Sequence, residues 1–221
     1  MYQFGKLDLM PLFAVPVAKV PLDNPVPADI VDFLINSPEI IDRPTYEQAM
    51  AGVYKPLTHD LKILDNPICK PLKDALMKEV RDYLYNILGC SKELDFRMVS
   101  SWVSKTRPGT NLGMHSHANS QFSGSLYLKV PKDSGRIIFH RRRHFDNVCS
   151  ETLNIPMEFP TPFMAGGWPI DVAENELVIF PSNLEHSVEI NNSDEDRISV
   201  PFNVVGYGVY GYESVTQIEI K

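Results

Sequence analysis

His115-Ser116-His117, with His186 far downstream and Arg197 eleven residues beyond it, are the side chains best suited to chemistry. Residues two apart on an extended segment point the same way, so one stretch can offer both His115 and His117 to a single ion. A third imidazole at His186 could complete a metal face. Imidazole suits iron, zinc, copper and nickel alike, and three histidines alone do not choose among them. Arg197 supplies a planar fork that fits a carboxylate. Ser199, on the same face of an extended strand, places a hydroxyl beside it. A metal with a carboxylate anchor points to an oxygen-activating centre rather than a structural one.

Such a site needs strands around it, and the second half of the chain reads as strands. Phe96–Lys105, Phe122–Val130, Arg136–Phe139, Glu176–Phe180, His186–Ile190 and Arg197–Val205 are short alternating or apolar runs separated by turn residues. In the second, Phe122, Gly124, Leu126 and Leu128 take one face, and Ser123, Ser125 and Tyr127 the other. His115 and His186 each follow a turn signal, which predicts both at strand starts on a barrel mouth. Pro201 predicts an edge or a bulge in the last strand. Residues 141–173, with four prolines and Gly166-Gly167, read as a long binding loop.

The first half supplies support. Leu12–Val15 reads as a short strand continued by Val17–Pro21, and Pro27–Ile35 as a helix. Asn66–Leu88 is the strongest helical stretch. Ile68, Leu72, Leu76, Val80, Leu84 and Ile87 recur at helical spacing, with Asn66 as cap, Pro67 in the first turn and Gly89 as stop. Residues 37–65 read mostly as loop. Together these predict a single domain over 1–221. Residues 1–93 give an N-terminal strand and supporting helices, and 94–221 a β core.

Composition narrows the partners. Across 221 residues, 43% are hydrophobic, enough for a substantial core, and the net charge of −7 argues against nucleic acid. The Arg141-Arg142-Arg143 run is local, a solvated loop or a rim attracting an acidic substrate. Cys69, Cys90 and Cys149 lack metal or redox spacing and suit a reducing compartment. The apolar stretch Leu9–Val20 is broken by Pro11 and Pro16, so neither a signal peptide nor a membrane span is expected and the location is expected to be cytoplasmic. The oligomeric state is open, a homodimer among the options.

Taken together, several motifs resemble the 2-oxoglutarate and Fe(II)-dependent oxygenases, in particular a branch found in bacteria and phages. They are Leu12–Val17, Ser101-Trp102, Pro108-Gly109, His115-Ser116-His117, Ser123–Leu128, Glu176–Ser182, His186, Arg197-Ile198-Ser199 and Phe202-Asn203. The resemblance covers 94–205 well and the N-terminal part thinly. It implies a mainly β fold with flanking α-helices, a double-stranded β-helix of the jelly-roll, cupin-like kind. It implies Fe(II), 2-oxoglutarate and dioxygen, with hydroxylation of a peptidyl (for example prolyl) or small-molecule substrate and release of succinate and carbon dioxide. His115 matches the first metal histidine, His186 the distal one, and Arg197 with Ser199 the co-substrate clamp. Tyr127 could reach the co-substrate or serve as a core aromatic.

The chain departs from the superfamily at His117, where a carboxylate ligand is usual. Three imidazoles on the metal is the favoured reading. A shifted register, with His117 first and Asn119 in the acidic position, is open. So is a two-histidine site with water in the third place. Other readings are a three-histidine cupin-type dioxygenase that needs no 2-oxoglutarate, and a non-catalytic metal-binding β-sandwich. Arg197 could instead be a surface charge paired with Asp194, Glu195 or Asp196. His59, His140 and His144 read as polar surface or partly buried residues, and Trp102 and Trp168 as packing.

Overall fold

The computed structural model describes residues 2–4, 7–9, 14–36, 41–42, 61–141, 156–212 and 216–221. Its strands in chain order are β1 (Tyr2–Phe4), β2 (Leu7–Leu9), β3 (Ala18–Pro21), β4 (Ile41–Asp42), β5 (Asp95–Ser101), β6 (Ser104–Thr106) and β7 (Leu112–His115). They continue as β8 (Phe122–Lys129), β9 (Ile137–His140), β10 (Gly167–Ile170), β11 (Glu176–Pro181), β12 (His186–Val188), β13 (Arg197–Tyr210) and β14 (Ile218–Ile220). Two α-helices are described, α1 (Ala28–Ile35) and α2 (Lys70–Asp82).

Two sheets face each other. The larger runs β3-β11-β8-β13-β6-β4, with β5 also on β13, and the smaller runs β10-β9-β12-β7. All pairings are antiparallel except β4 with β6. This is the jelly-roll form of a double-stranded β-helix. The alternation in β8 decides what each face meets. Leu126 joins Ile198, Val200 and Phe202 of β13 in a core shared with α1 and α2. Tyr127, on the opposite face, packs with Ile137, Phe139, Val178 and Phe180 between the two sheets. Gly124 is required on the helix side, because a Cβ there would run into the Phe202 ring.

The long helical stretch forms as its spacing predicts, in three pieces. Asn66 caps it by accepting from the Ile68 N–H at 3.2 Å, a short 3-10 turn leads into α2, and a π-helical turn (Tyr83–Ile87) ends it before Gly89 at φ +68°. Leu72, Leu76, Met77 and Val80 are its buried face.

Several expectations need correction. Ala14 and Val15 are not in a strand; pairing begins at Ala18, past Pro16, which has no N–H to give a ladder. Residues 12 and 13, 37–40, 43–60 and 142–155, and with them His59, His144 and Cys149, lie outside the described residues. The 96–105 run is two strands, broken at Trp102-Val103. Pro201 is not on an edge. It sits inside β13, between β8 and the junction of β5 with β6, where its missing N–H falls opposite the break and its carbonyl accepts from the Trp102 N–H at 3.0 Å. Part of the 141–173 loop, Gly167–Ile170, is a strand on β9. The strand expected over His186–Ile190 is shorter: β12 ends at Val188, and Ile190 is half-exposed.

Candidate active site

The three histidines converge because neighbouring strands carry them. His115 ends β7 and His186 begins β12, and the two residues face each other across that antiparallel pair. Their rings are 4.3 Å apart. The prediction of two strand starts therefore holds for His186 only. His117 lies beyond β7, in the connection to β8, where its N–H donates to the Ser182 carbonyl at 2.9 Å and pins the loop to the end of β11. The His117 ring is 5.0 Å from His186 and 5.4 Å from His115. One ligand atom from each residue falls within 4.8 Å of the other two, a group able to hold a metal ion.

The hydrogen bonds set which nitrogen each ring presents. His115 Nδ1 lies 2.9 Å from the Gly113 carbonyl, and His186 Nδ1 lies 3.0 Å from the Leu184 carbonyl. A carbonyl only accepts, so both Nδ1 atoms carry the proton. A neutral ring then has its lone pair on Nε2. His117 Nδ1 meets a side chain instead, Asn203 Oδ1 at 2.7 Å, with Ser123 Oγ at 2.8 Å. Asn203 is oriented by its own Nδ2, which donates to Ser100 Oγ at 3.0 Å. Ser123 and Ser120 both reach Ser182 Oγ at 2.8 Å and tie the network to β11. All three imidazoles are thus held by the nitrogen a metal would not use, the support expected of metal-ligating histidines.

His186 is only 4% exposed. Phe180 and Phe139 stand 4.7 and 6.0 Å from its ring. Burial pushes its imidazole down to about 3, opposed by the Leu184 carbonyl and aided by the neighbouring histidines. The ring is therefore neutral at ordinary pH, as a metal ligand must be.

Arg197 and Ser199 lie in the same cavity, 2% and 6% exposed, on the face of β13 opposite Ile198 and Val200. The guanidinium sits 4.8 Å over the Tyr127 ring. Burial pushes the Tyr127 phenol up, opposed by the Arg197 charge, so it stays protonated. Two of the three carboxylates that could have held Arg197 at the surface are engaged elsewhere: Glu195 pairs with Lys129 at 2.7 Å and Asp196 with Lys105 at 3.6 Å. Arg197 Nε and Nη2 have no hydrogen-bond partner among the described residues. A buried cation with orphaned donors is the clearest mark of an anion that belongs there.

A metal ion would find three oriented imidazoles at one end of this cavity, and an anion would find two unpaired guanidinium donors at the other. A separate, larger cavity of about 1070 Å³ lies against the other face of the smaller sheet, lined by Ile138, His140, Ser187 and Glu189 among others. There His140 Nε2 and Ser187 Oγ share a hydrogen bond of 2.8 Å. Sequence reasoning missed Asn203 and Ser123 as supports of His117. The signal was present, since Asn203 falls on the same alternating face as Arg197 and Ser199.

A double-stranded β-helix with these groups between its sheets defines the class, and the comparisons agree. Residues 100–203 match a family model described as "Putative 2OG-Fe(II) oxygenase". Over those residues, a little under half of its length, the chain is similar to the 2-oxoglutarate/Fe(II)-dependent oxygenase superfamily, non-haem iron enzymes that use Fe(II), 2-oxoglutarate and dioxygen. No curated protein matches. Among solved structures, the non-heme alpha-ketoglutarate-dependent epimerase SnoN from nogalamycin biosynthesis is similar at TM-score 0.55 and 13% identity, over 91% of this chain and 83% of that one. Apo HygX from Streptomyces hygroscopicus gives TM-score 0.51 and 12% identity over 86% and 82%. An oxidoreductase of the 2OG-Fe(II) oxygenase family from Burkholderia pseudomallei gives 0.44 and 14%, over 63% of this chain, which spans 58% of that protein's length. Likeness at these identities speaks to fold. Among the described residues no helix is long and apolar enough to cross a membrane.

Proposed function

We propose that this protein is an Fe(II)- and 2-oxoglutarate-dependent hydroxylase, with Nε2 of His115, His117 and His186 as metal ligands and Arg197, Ser199 and Tyr127 as co-substrate ligands. The observation that carries the reading is Arg197, buried in the cavity of the three histidines with Nε and Nη2 unpartnered. A three-histidine dioxygenase without 2-oxoglutarate has no use for that guanidinium, and a structural metal module has still less. In this reading residues 1–221 act as one unit, 1–93 buttressing the 94–221 core.

The roles follow from chemistry and position. Arg197 takes the far carboxylate of 2-oxoglutarate through two N–H groups, the Ser199 hydroxyl donates a further hydrogen bond, and the protonated Tyr127 phenol both supports the guanidinium and can donate. Neutral imidazoles at three positions hold the divalent ion without cancelling its charge, which favours a dianionic co-substrate. Phe139 and Phe180 keep one wall dry. When bound, Fe(II) with 2-oxoglutarate and dioxygen supplies C–H hydroxylation coupled to formation of succinate and carbon dioxide. The substrate is a peptidyl side chain, such as proline, or a small metabolite, selected by the 141–173 segment.

The test is spectroscopic. Under anaerobic conditions, Fe(II) and 2-oxoglutarate together should give a weak visible charge-transfer band that neither gives alone. Arg197→Ala should lose or weaken it at the same concentrations. No band in the parent sinks the proposal, and a band unchanged in the variant removes the clamp.

A further inference from the structure

Four buried side-chain nitrogen or oxygen atoms have no hydrogen-bond partner among the described residues, and three of them line the histidine cavity: Arg197 Nε, Arg197 Nη2 and Trp102 Nε1. All three are donors that cannot accept. Buried N–H groups are rarely left unpaired, so a cavity with donors at two places calls for a ligand with acceptors at two places. Arg197 accounts for one end only.

Trp102 stands at the other. The chain around it alternates strictly: Ser101 turns to the helix layer, its Oγ accepting from the Leu64 N–H at 3.0 Å, and Val103 is fully buried in the helix-side core. Trp102 therefore faces the cavity. Its ring centroid is 5.8 Å from that of His117. Its backbone N–H is held by the Pro201 carbonyl, four positions along β13 from Arg197. At about 3.3 Å per residue that separates the two anchor points by roughly 13 Å of backbone, which their long side chains shorten from both ends.

We propose that Trp102 is a second anion-binding residue of this cavity: its indole N–H donates to the carboxylate at the histidine end of the co-substrate, opposite the end taken by Arg197. The inference rests on the 2-oxoglutarate reading above. It makes the cavity selective for a dicarboxylate before any metal is present, because one carboxylate has the guanidinium and the other the indole. Packing alone does not explain Trp102, since a phenylalanine would pack there without burying an orphan donor.

The experiment uses metal-free full-length protein and two five-carbon ligands, glutarate with two carboxylates and pentanoate with one. Calorimetric titration of the parent should show glutarate binding at least about tenfold tighter than pentanoate, the size expected of one hydrogen bond to a charged group. In Trp102→Phe that preference should fall about tenfold while pentanoate, held by Arg197, binds as before. An unchanged preference overturns the role of Trp102. Glutarate that fails to bind the parent, or binds Arg197→Met as well as the parent, instead overturns the co-substrate reading itself. A second measurement needs no change at Trp102. In nitrogen-15-labelled Trp168→Phe protein the single remaining indole N–H signal should move downfield in its proton shift with glutarate and stay in place with pentanoate. A signal that ignores glutarate at saturation overturns the proposal.

Discussion

Replacing Arg197 with methionine should make the ligand-free protein more stable while abolishing co-substrate binding. Arg197 is 2% exposed, has no carboxylate partner among the described residues, and leaves Nε and Nη2 unpaired. Exchanging buried ionic groups for apolar ones of similar size is neutral or stabilising by about 1–4 kcal/mol. Against this stands the lost contact with the Tyr127 ring, about 2 kcal/mol when desolvated. The net is a gain on the order of 1 kcal/mol, or roughly 2–4 °C in Tm for a chain of this size. On the ligand side, two hydrogen bonds from a charged group are worth about 1.5–3 kcal/mol each, so affinity for 2-oxoglutarate should fall at least about a hundredfold. Differential scanning fluorimetry reads both. Without ligand, Arg197→Met should melt at or above the parent. With 2-oxoglutarate at about a hundred times its Kd, the parent should gain roughly 2.7 kcal/mol of stability, and the variant at most about 0.4 kcal/mol. A variant that melts several degrees below the parent and still responds to 2-oxoglutarate would refute the reasoning, because Arg197 would then be holding the fold rather than waiting for a ligand.

Other consequences follow from the same geometry. Asn203→Ala, which touches no metal, should weaken Co(II) binding about 10–100-fold by releasing His117 Nδ1, read by titrating the d–d absorption; unchanged affinity would mean His117 is not a ligand. His117→Ala should weaken it at least as much, and His186→Ala more, since His186 is the most buried of the three. Metal-free protein should lose stability in acid: the His186 ring is held near 3 in the fold against 6.5 when unfolded, so the unfolded chain binds the extra proton. That contribution is present above pH 6.5 and falls away toward pH 3 by at most about 1.4 kcal/mol per pH unit, and urea titrations of His186→Gln against the parent should show a flatter dependence in that window. Gly124→Ala should destabilise by about 1–3 kcal/mol through its collision with Phe202, measured in the same titration, with the ring having to move for any Cβ to fit.

Alternation made the β core legible, because each face of β8 and β13 meets a different medium. Leu126, Val200 and Phe202 turn to the helices; Ser125, Tyr127, Arg197 and Ser199 turn to the cavity. The helix over 66–88 was equally plain from its apolar spacing and its Asn66 and Gly89 ends. What the pattern could not give was pairing at a distance. His115 meets His186 through the β7–β12 ladder, across seventy residues of chain, and a histidine at the end of a strand looks the same in sequence as one at the start. Pro201 misled for a related reason. A proline is barred from a continuous ladder, but a break in the neighbouring strand, invisible from Pro201 itself, removes the need for its N–H.

His117 shows most clearly how the site depends on residues remote in sequence. With Asn203 held in its present orientation by its Nδ2–H bond to Ser100 Oγ, a carboxylate at 117 would bring acceptor oxygens toward Asn203 Oδ1, another acceptor, a repulsive pairing. An imidazole presents an N–H to the same oxygen at 2.7 Å and directs its second nitrogen the other way. The imidazole at 117 and the amide at 203, eighty-six residues later, thus form one hydrogen-bonded unit. It follows that His117→Asp alone should bind Co(II) worse than the parent, even though it installs the ligand usual in the superfamily, because the new carboxylate loses its support. His117→Asp with Asn203→Ser should recover part of that loss, since a hydroxyl can donate where the amide oxygen could not. Equal metal affinity in the single and double variants would show that Asn203 does not govern the choice of ligand at 117.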